Sequence, residues 1–326
     1  MPEPRRRRGR AVRAAVAAGG AAVLASACGG DGDVAAGEDG LEQVTVGLIP
    51  IVDVAPVYLG IEQGFFEARG IDLHTELAQG GAAIVPAVVS GQYEFGFSNT
   101  TSLLVANAEG IPLHMVSAGS ATTGDVEEDY SVVVVAADSP ITDAGGLAGR
   151  TVAVNTLNNI GDTTIRHMVE QAGGDATDVE FVEMPFPDMP AAVDEGRVDA
   201  AWMNEPFVTS SLNSGMRVVA ANYAGTHEEL TAATYFATPD QIESDPDLVE
   251  RFTEAMNESS AYAQDNPDEA RRVLTTYTEI DDAAAQELIL PNWPGSINEE
   301  SVRLLADLAE QDGLIDEPPN LDEIIP

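Results

Sequence analysis

Lysine is absent from the 326 residues. All 15 basic residues are arginines, set against 55 acidic ones, for a formal net charge of −40. A chain this acidic repels nucleic acid and anionic lipid, so binding to either by general electrostatics is excluded. Cysteine occurs once, at Cys28, which rules out intramolecular disulfides, zinc ribbons and iron–sulfur clusters. The four histidines, His74, His114, His167 and His227, show no metal-ligand spacing. No Walker loop, zinc motif or Ser-His-Asp order occurs. What remains is a chain that folds: 44% of it is hydrophobic, and its length suits two domains.

The beginning reads as an address. Arg5 to Arg8, Arg10 and Arg13 form a basic region, and an Ala/Val/Leu stretch from Ala14 to Ala25 follows. This pattern predicts a signal peptide over 1–27, too short to stay as a spanning helix. Leu24-Ala25-Ser26-Ala27-Cys28 resembles a bacterial lipobox, with Leu four residues before the Cys instead of the usual three. Lipidation of Cys28 is therefore expected, the alternative being a plain cleaved signal with a chance Cys. The Arg-rich, weakly hydrophobic signal leaves both the general and the twin-arginine export routes open. Residues 28–40 are small and acidic and read as a flexible tether.

Beyond residue 41 strands and helices alternate. Apolar runs predict strands at 44–49, 71–77, 94–97, 113–119, 131–137, 151–155, 179–183, 198–203 and 216–220. Helical periodicity fills the intervals at 55–67, 82–89, 100–109, 162–172, 189–195 and 205–213. After residue 240 amphipathic helices are expected at 246–264, 268–277, 281–290 and 298–311. Repeated β–α alternation predicts an α/β fold with doubly wound, mostly parallel sheets, one in each of two lobes. Ligands of such sheets bind beyond the carboxyl ends of the strands, so the strand-to-helix loops hold the candidate residues.

Each candidate carries two readings. Asp53 is a ligand acceptor or the N-cap of the next helix. Gly80 and Gly81 let backbone approach a ligand or only make a turn. Asn99 and Thr100, with Thr101 beside them, are ligand donors and acceptors or helix caps. Asn155, Asn158 and Asn159 form an amide-rich loop, where Asn is also an ordinary turn residue. Trp202 stacks on a flat ligand or packs in the core. Glu205 takes a ligand donor or opens the following helix. The acidic run from Asp125 to Asp129 reads as a solvated loop near a hinge.

In order, the segments VTVGLIPIVDVAPVYLGIEQGFFEARGIDL, GGAAIVPAVVSGQYEFGFSNTTSLLVANAEGIPL, DSPITDAGGLAGRTVAVN and VDAAWMNEPF resemble the substrate-binding proteins of ABC importers for nitrate, sulfonates, taurine and thiamine-pyrimidine precursors. The resemblance covers nearly all of 41–313. It implies a two-lobed, type II periplasmic-binding fold, lobe 1 from 41–129 plus 238–326 and lobe 2 from 130–237, with interlobe crossings near 130–137 and 217–237. It implies, too, a monomer that closes on a solute and docks on a permease and its ATPase, with no cofactor, no metal and membrane contact through the lipid alone. An enzyme on the same fold, one making the thiamine pyrimidine, is the other class; no Cys after residue 28 opposes it. Arg69, Arg150, Arg197 and Arg217 all belong to strand or helix ends facing away from the expected cleft; only Arg166 comes near it. With Asp53 and Glu205 among the candidates, a neutral or cationic nitrogen-bearing solute such as a pyrimidine is expected over an anion.

A surface with so much unbalanced charge is destabilised by its own repulsion. Molar salt screens that repulsion to about 3 Å. The melting temperature is expected to rise between 0.1 M and 2 M potassium chloride; an unchanged or falling value contradicts this.

Overall fold

The computed structural model describes residues 40–326. The signal over 1–27, Cys28 and the tether up to residue 39 lie outside the described residues. Ten strands are present among the described residues: β1 (Glu42–Leu48), β2 (Ile71–Leu77), β3 (Phe95–Asn99), β4 (His114–Ala121), β5 (Ser131–Val135), β6 (Thr151–Val154), β7 (Glu180–Glu183), β8 (Ala200–Asn204), β9 (Arg217–Ala220) and β10 (Thr231–Ala237). They form two five-stranded sheets, ordered β2-β1-β3-β10-β4 and β7-β6-β8-β5-β9. In each sheet one strand runs against the other four: β10 in the first and β5 in the second. The parallel strands are separated in sequence by helices, as a parallel connection requires.

The helices arise from short local signals. Pro56 sits in the first turn of Ala55–Gln63, where a missing N–H costs nothing, and Gly64 ends that helix at φ 76°. Asp245 accepts from the Leu248 N–H and starts Pro246–Asp265, the longest helix among the described residues. That helix packs Leu248, Phe252, Ala255 and Met256 into the core of the first lobe. Phe252 stacks on Phe95 of β3, ring centroids 3.8 Å apart. Leu248, Phe252 and Met256 each contribute about 1.5–3 kcal/mol by leaving water. Asn298 caps Glu299–Gln311 through the Ser301 N–H at 2.9 Å.

Three expectations need correction. The segment 231–237, read with the second lobe and its crossings, is β10, an inner strand of the first sheet. All seven of its residues are buried, and its partners Asn99 and Ala121 stand over a hundred residues away, so local pattern alone did not assign it. The second passage between sheets accordingly lies between Ala220 and Thr231. A helix was expected over 281–290; only Asp282–Ala285 is helical, and the chain then runs on through Pro291 to an isolated bridge between Asn292 and Ala121. Asp129 is not solvated. It is 2% exposed, and its carboxylate accepts from the N–H of Thr123, Tyr130 and Ala224 and the hydroxyl of Thr122. Thr122 to Tyr130 is the first passage and Ala224 lies in the second. One carboxylate thus ties both interlobe connections together.

Candidate functional site

The strand-end loops of the two sheets are in direct contact. The Gln79 side-chain amide donates to the Asn155 carbonyl, and the Asn155 amide donates back to the Gln79 carbonyl, both at 3.3 Å. Gly80 is what permits this approach. A Cβ there would stand 2.8 Å from Thr156 Cγ2 and 3.1 Å from Asn155 Nδ2. Gly81 is equally constrained, because its Cβ would fall 1.9 Å from the Ser98 hydroxyl.

Asn99 caps two helices at once. Its Oδ1 accepts from Ser102 N at 2.9 Å, at the start of Thr100–Ala108, and from Ile160 N at 3.3 Å, at the start of Ile160–Gln171. The positive ends of helices from the two lobes therefore share one amide oxygen. Thr100 turns away and donates to the Thr231 carbonyl at 2.7 Å, holding its helix to β10.

The amide loop divides in its roles. Asn155 and Asn159 are buried and joined, Asn159 Nδ2 donating to Asn155 Oδ1 at 2.8 Å and to Thr156 Oγ1 at 2.9 Å. Asn159 Oδ1 takes the Gly161 N–H. Asn158 is exposed and adopts φ 58°, a left-handed turn position that Asn tolerates. Asp162 closes the loop, accepting from Asn158 N at 2.8 Å and Asn159 N at 2.7 Å.

Trp202 belongs to the interior of the second lobe. Its indole N–H donates to Ser131 at 2.8 Å, its ring meets Phe186 edge-on at 5.4 Å, and Gly161 lies so close that a Cβ would come within 2.3 Å of the indole. A stacking role for Trp202 on a solute is replaced by packing. Glu205 is fully buried and starts the helix Phe207–Asn213, its carboxylate accepting from the N–H and hydroxyl of Thr209 at 2.9 and 2.7 Å. It also accepts from Ile289 N, and its backbone carbonyl accepts from Val52 N at 3.0 Å, so it bridges the lobes. Burial pushes its pKa up to about 7.

Asp53 lies at the floor of the joint, beside both crossings, and is 1% exposed. It does not cap the following helix: the cap position is Val54, with no side-chain bond. Its Oδ1 accepts from the Ser120 hydroxyl at 2.5 Å and the Tyr130 hydroxyl at 3.2 Å, and its backbone carbonyl takes the Trp293 indole N–H at 3.0 Å. Its Oδ2 is buried without a partner. Burial pushes this carboxyl up to about 6. Ser98, Thr101, Asn204 and Tyr235 hold further buried polar atoms without partners among the described residues. Ser120, Tyr130, Gln79 and Trp293 were not singled out from sequence; only the loop position of Ser120 and Gln79 marked them. Arg166 donates to the Ala176 carbonyl and sits over the Phe181 ring, one turn along the helix from Asp162, whose carboxyl feels its charge.

The family described as NMT1/THI5 like matches residues 51–270. An ABC transporter periplasmic binding protein of Brachyspira hyodysenteriae is 25% identical over 207 residues, covering 61% of this chain and 58% of that protein. The riboflavin-binding protein RibY of Chloroflexus aurantiacus is 24% identical over 276 residues, covering 79% of this chain and 74% of that protein. Among solved structures, the periplasmic aliphatic sulphonate binding protein SsuA of Escherichia coli superposes with a TM-score of 0.71 at 18% identity, covering 87% of this chain and 97% of that one. The architecture is that of the periplasmic binding proteins, with two α/β lobes.

Two outcomes are expected. Gly80→Ala leaves the fold intact, since Gly80 has φ −176°, which any residue adopts. It props the loops apart and weakens solute binding about tenfold, or 1.4 kcal/mol; calorimetry with an unchanged affinity would contradict the contact. Second, Glu205 has a folded pKa near 7 against an ordinary 4.5. The folded state holds its proton more tightly, so this group's stabilising share is complete below about pH 4.5 and is lost as pH rises towards 7. Urea unfolding across that range is expected to show a shallower decline for Glu205→Gln than for the unaltered protein.

Proposed function

This chain belongs to the NMT1/THI5-like family, and from that premise we propose that it is an extracytoplasmic solute receptor. It captures a small polar, nitrogen-bearing molecule between its lobes and delivers it to the permease and ATPase of an ABC importer. The observation that carries this reading is the joint itself. Loops from the carboxyl ends of two separate sheets meet face to face, and two polypeptide crossings, pinned by one carboxylate, leave the lobes a line to rotate about. The names borne by the Brachyspira and Chloroflexus relatives support a binding role. Lipidation of Cys28 holds the receptor at the outer face of the cell membrane. It acts as a monomer, and closure, with no chemical step, is its output.

Buried carboxyls at Asp53 and Glu205, and arginines engaged elsewhere, favour a neutral or cationic guest such as a pyrimidine. One observation favours a second reading, an anion of the sulfonate kind. The N-termini of Thr100–Ala108 and Ile160–Gln171 converge on Asn99, and such helix ends attract negative charge without arginine.

A thermal-shift screen of pyrimidines, amines, sulfonates and nitrate tests both. A solute at a hundred times its Kd adds about 2.7 kcal/mol to stability. The receptor reading expects a hit that also compacts the protein in small-angle scattering and is recovered unchanged. A hit that is chemically converted points to an enzyme instead.

A further inference from the structure

Most polar groups in the interlobe joint are already satisfied by the protein. Asn155, Asn159 and Glu205 spend their hydrogen bonds on neighbouring loops and helix starts. Asp53 is different. Ser120 and Tyr130 both donate to one oxygen, Oδ1, and none of the described residues reaches Oδ2. Asp53 neither caps the helix Ala55–Gln63 nor pairs with a cation among the described residues. A buried carboxylate oxygen with no donor costs on the order of 1–3 kcal/mol or more, and natural proteins rarely leave one so. A leucine or a valine would remove the cost. The Tyr235 hydroxyl, on the neighbouring strand β10, is buried and unpartnered as well.

We propose that Asp53 is the specificity-determining residue of the joint, its Oδ2 accepting one hydrogen bond from an N–H of the solute, so that the guest is an amine, an amidine or a ring N–H and not a sulfonate. This rests on the receptor reading and deepens it. The arrangement gives the carboxylate a fixed orientation, since two hydroxyls hold Oδ1 and leave Oδ2 buried with its acceptor capacity unused. An N–H is attracted there, whereas a sulfonate oxygen is repelled by the same charge. Tyr235 is placed to serve an acceptor on the guest. The Ser120 and Tyr130 hydroxyls bond Asp53 directly, and Tyr223, Tyr235, Tyr277 and Asp129 lie close enough to interact with its charge. Burial favours the protonated Asp53 in the empty protein, and an incoming N–H favours the ionised form. Binding therefore releases a proton near pH 6.

Calorimetry on the full chain with cytosine, benzamidine and ethanesulfonate tests the proposal, alongside Asp53→Asn, an isosteric variant whose fold is checked by circular dichroism. Cytosine or benzamidine is expected to bind the unaltered protein, with Asp53→Asn weakened at least about tenfold, which is about 1.4 kcal/mol. A second measurement needs no variant: at pH 6, titrations in buffers of different ionisation heat are expected to show proton release on binding. Asp53→Asn affinity within about twofold of the unaltered protein, or binding without proton release, overturns the assignment to Asp53. Binding of ethanesulfonate and of neither N–H donor overturns the donor class while leaving the receptor reading intact. No binding and no compaction with any of the three, or with the wider screen above, removes the receptor reading and this inference together.

Discussion

Everything in this protein turns on burying polar groups where two sheets meet. A carboxylate removed from water is unfavourable unless donors surround it. Asp129 satisfies that demand with donors from both interlobe passages, including Ala224 N at 2.8 Å. The two passages are thereby tied in a hydrogen-bonded knot with a defined geometry. Glu205 does the same on the other side, opening a helix in one lobe and accepting Ile289 N from the segment that returns to the other. Asp53 meets the demand only in half, its Oδ2 being left without a donor among the described residues.

The close approach of the lobes depends on small residues in the strand-end loops. Gly80 and Gly81 have no side chain to keep Thr156 and Ser98 at a distance. With that space available, Gln79 and Asn155 exchange amide hydrogen bonds, and Asn99 satisfies orphan N–H groups of two helices. Such contacts are worth about 1 kcal/mol each. A chain with 55 acidic residues and no lysine adds no long-range attraction between the halves, so their approach relies on these short contacts.

Much of this was legible beforehand. The alternation of apolar runs with helical periods located nine of the ten strands, and the loop positions of Asp53, Gly80, Asn99, Asn155 and Glu205 followed from where those strands end. Local chemistry also offered the cap at Asn99 before Thr100–Ala108, whereas Asn159, read only as a ligand or turn amide ahead of a helix from 162, caps a helix that already starts at Ile160. The exceptions share a cause. β10 is an unbroken buried run whose partners are distant in sequence, Asp129 sits in an acidic stretch that looks wet, and Trp202 has no local feature to tell core from cleft.

The order of strands and helices, the family pattern over 51–270 and the acidic, arginine-only charge were therefore properties of the sequence by itself, because each is written in neighbouring residues or in composition. Which groups are satisfied was decided only in three dimensions. The Ser120 and Tyr130 hydroxyls reach Asp53 across 67 and 77 residues, and no periodicity encodes such a meeting. It follows from how the first passage folds back over the end of β1, and so the chemistry of the joint belongs to the tertiary structure.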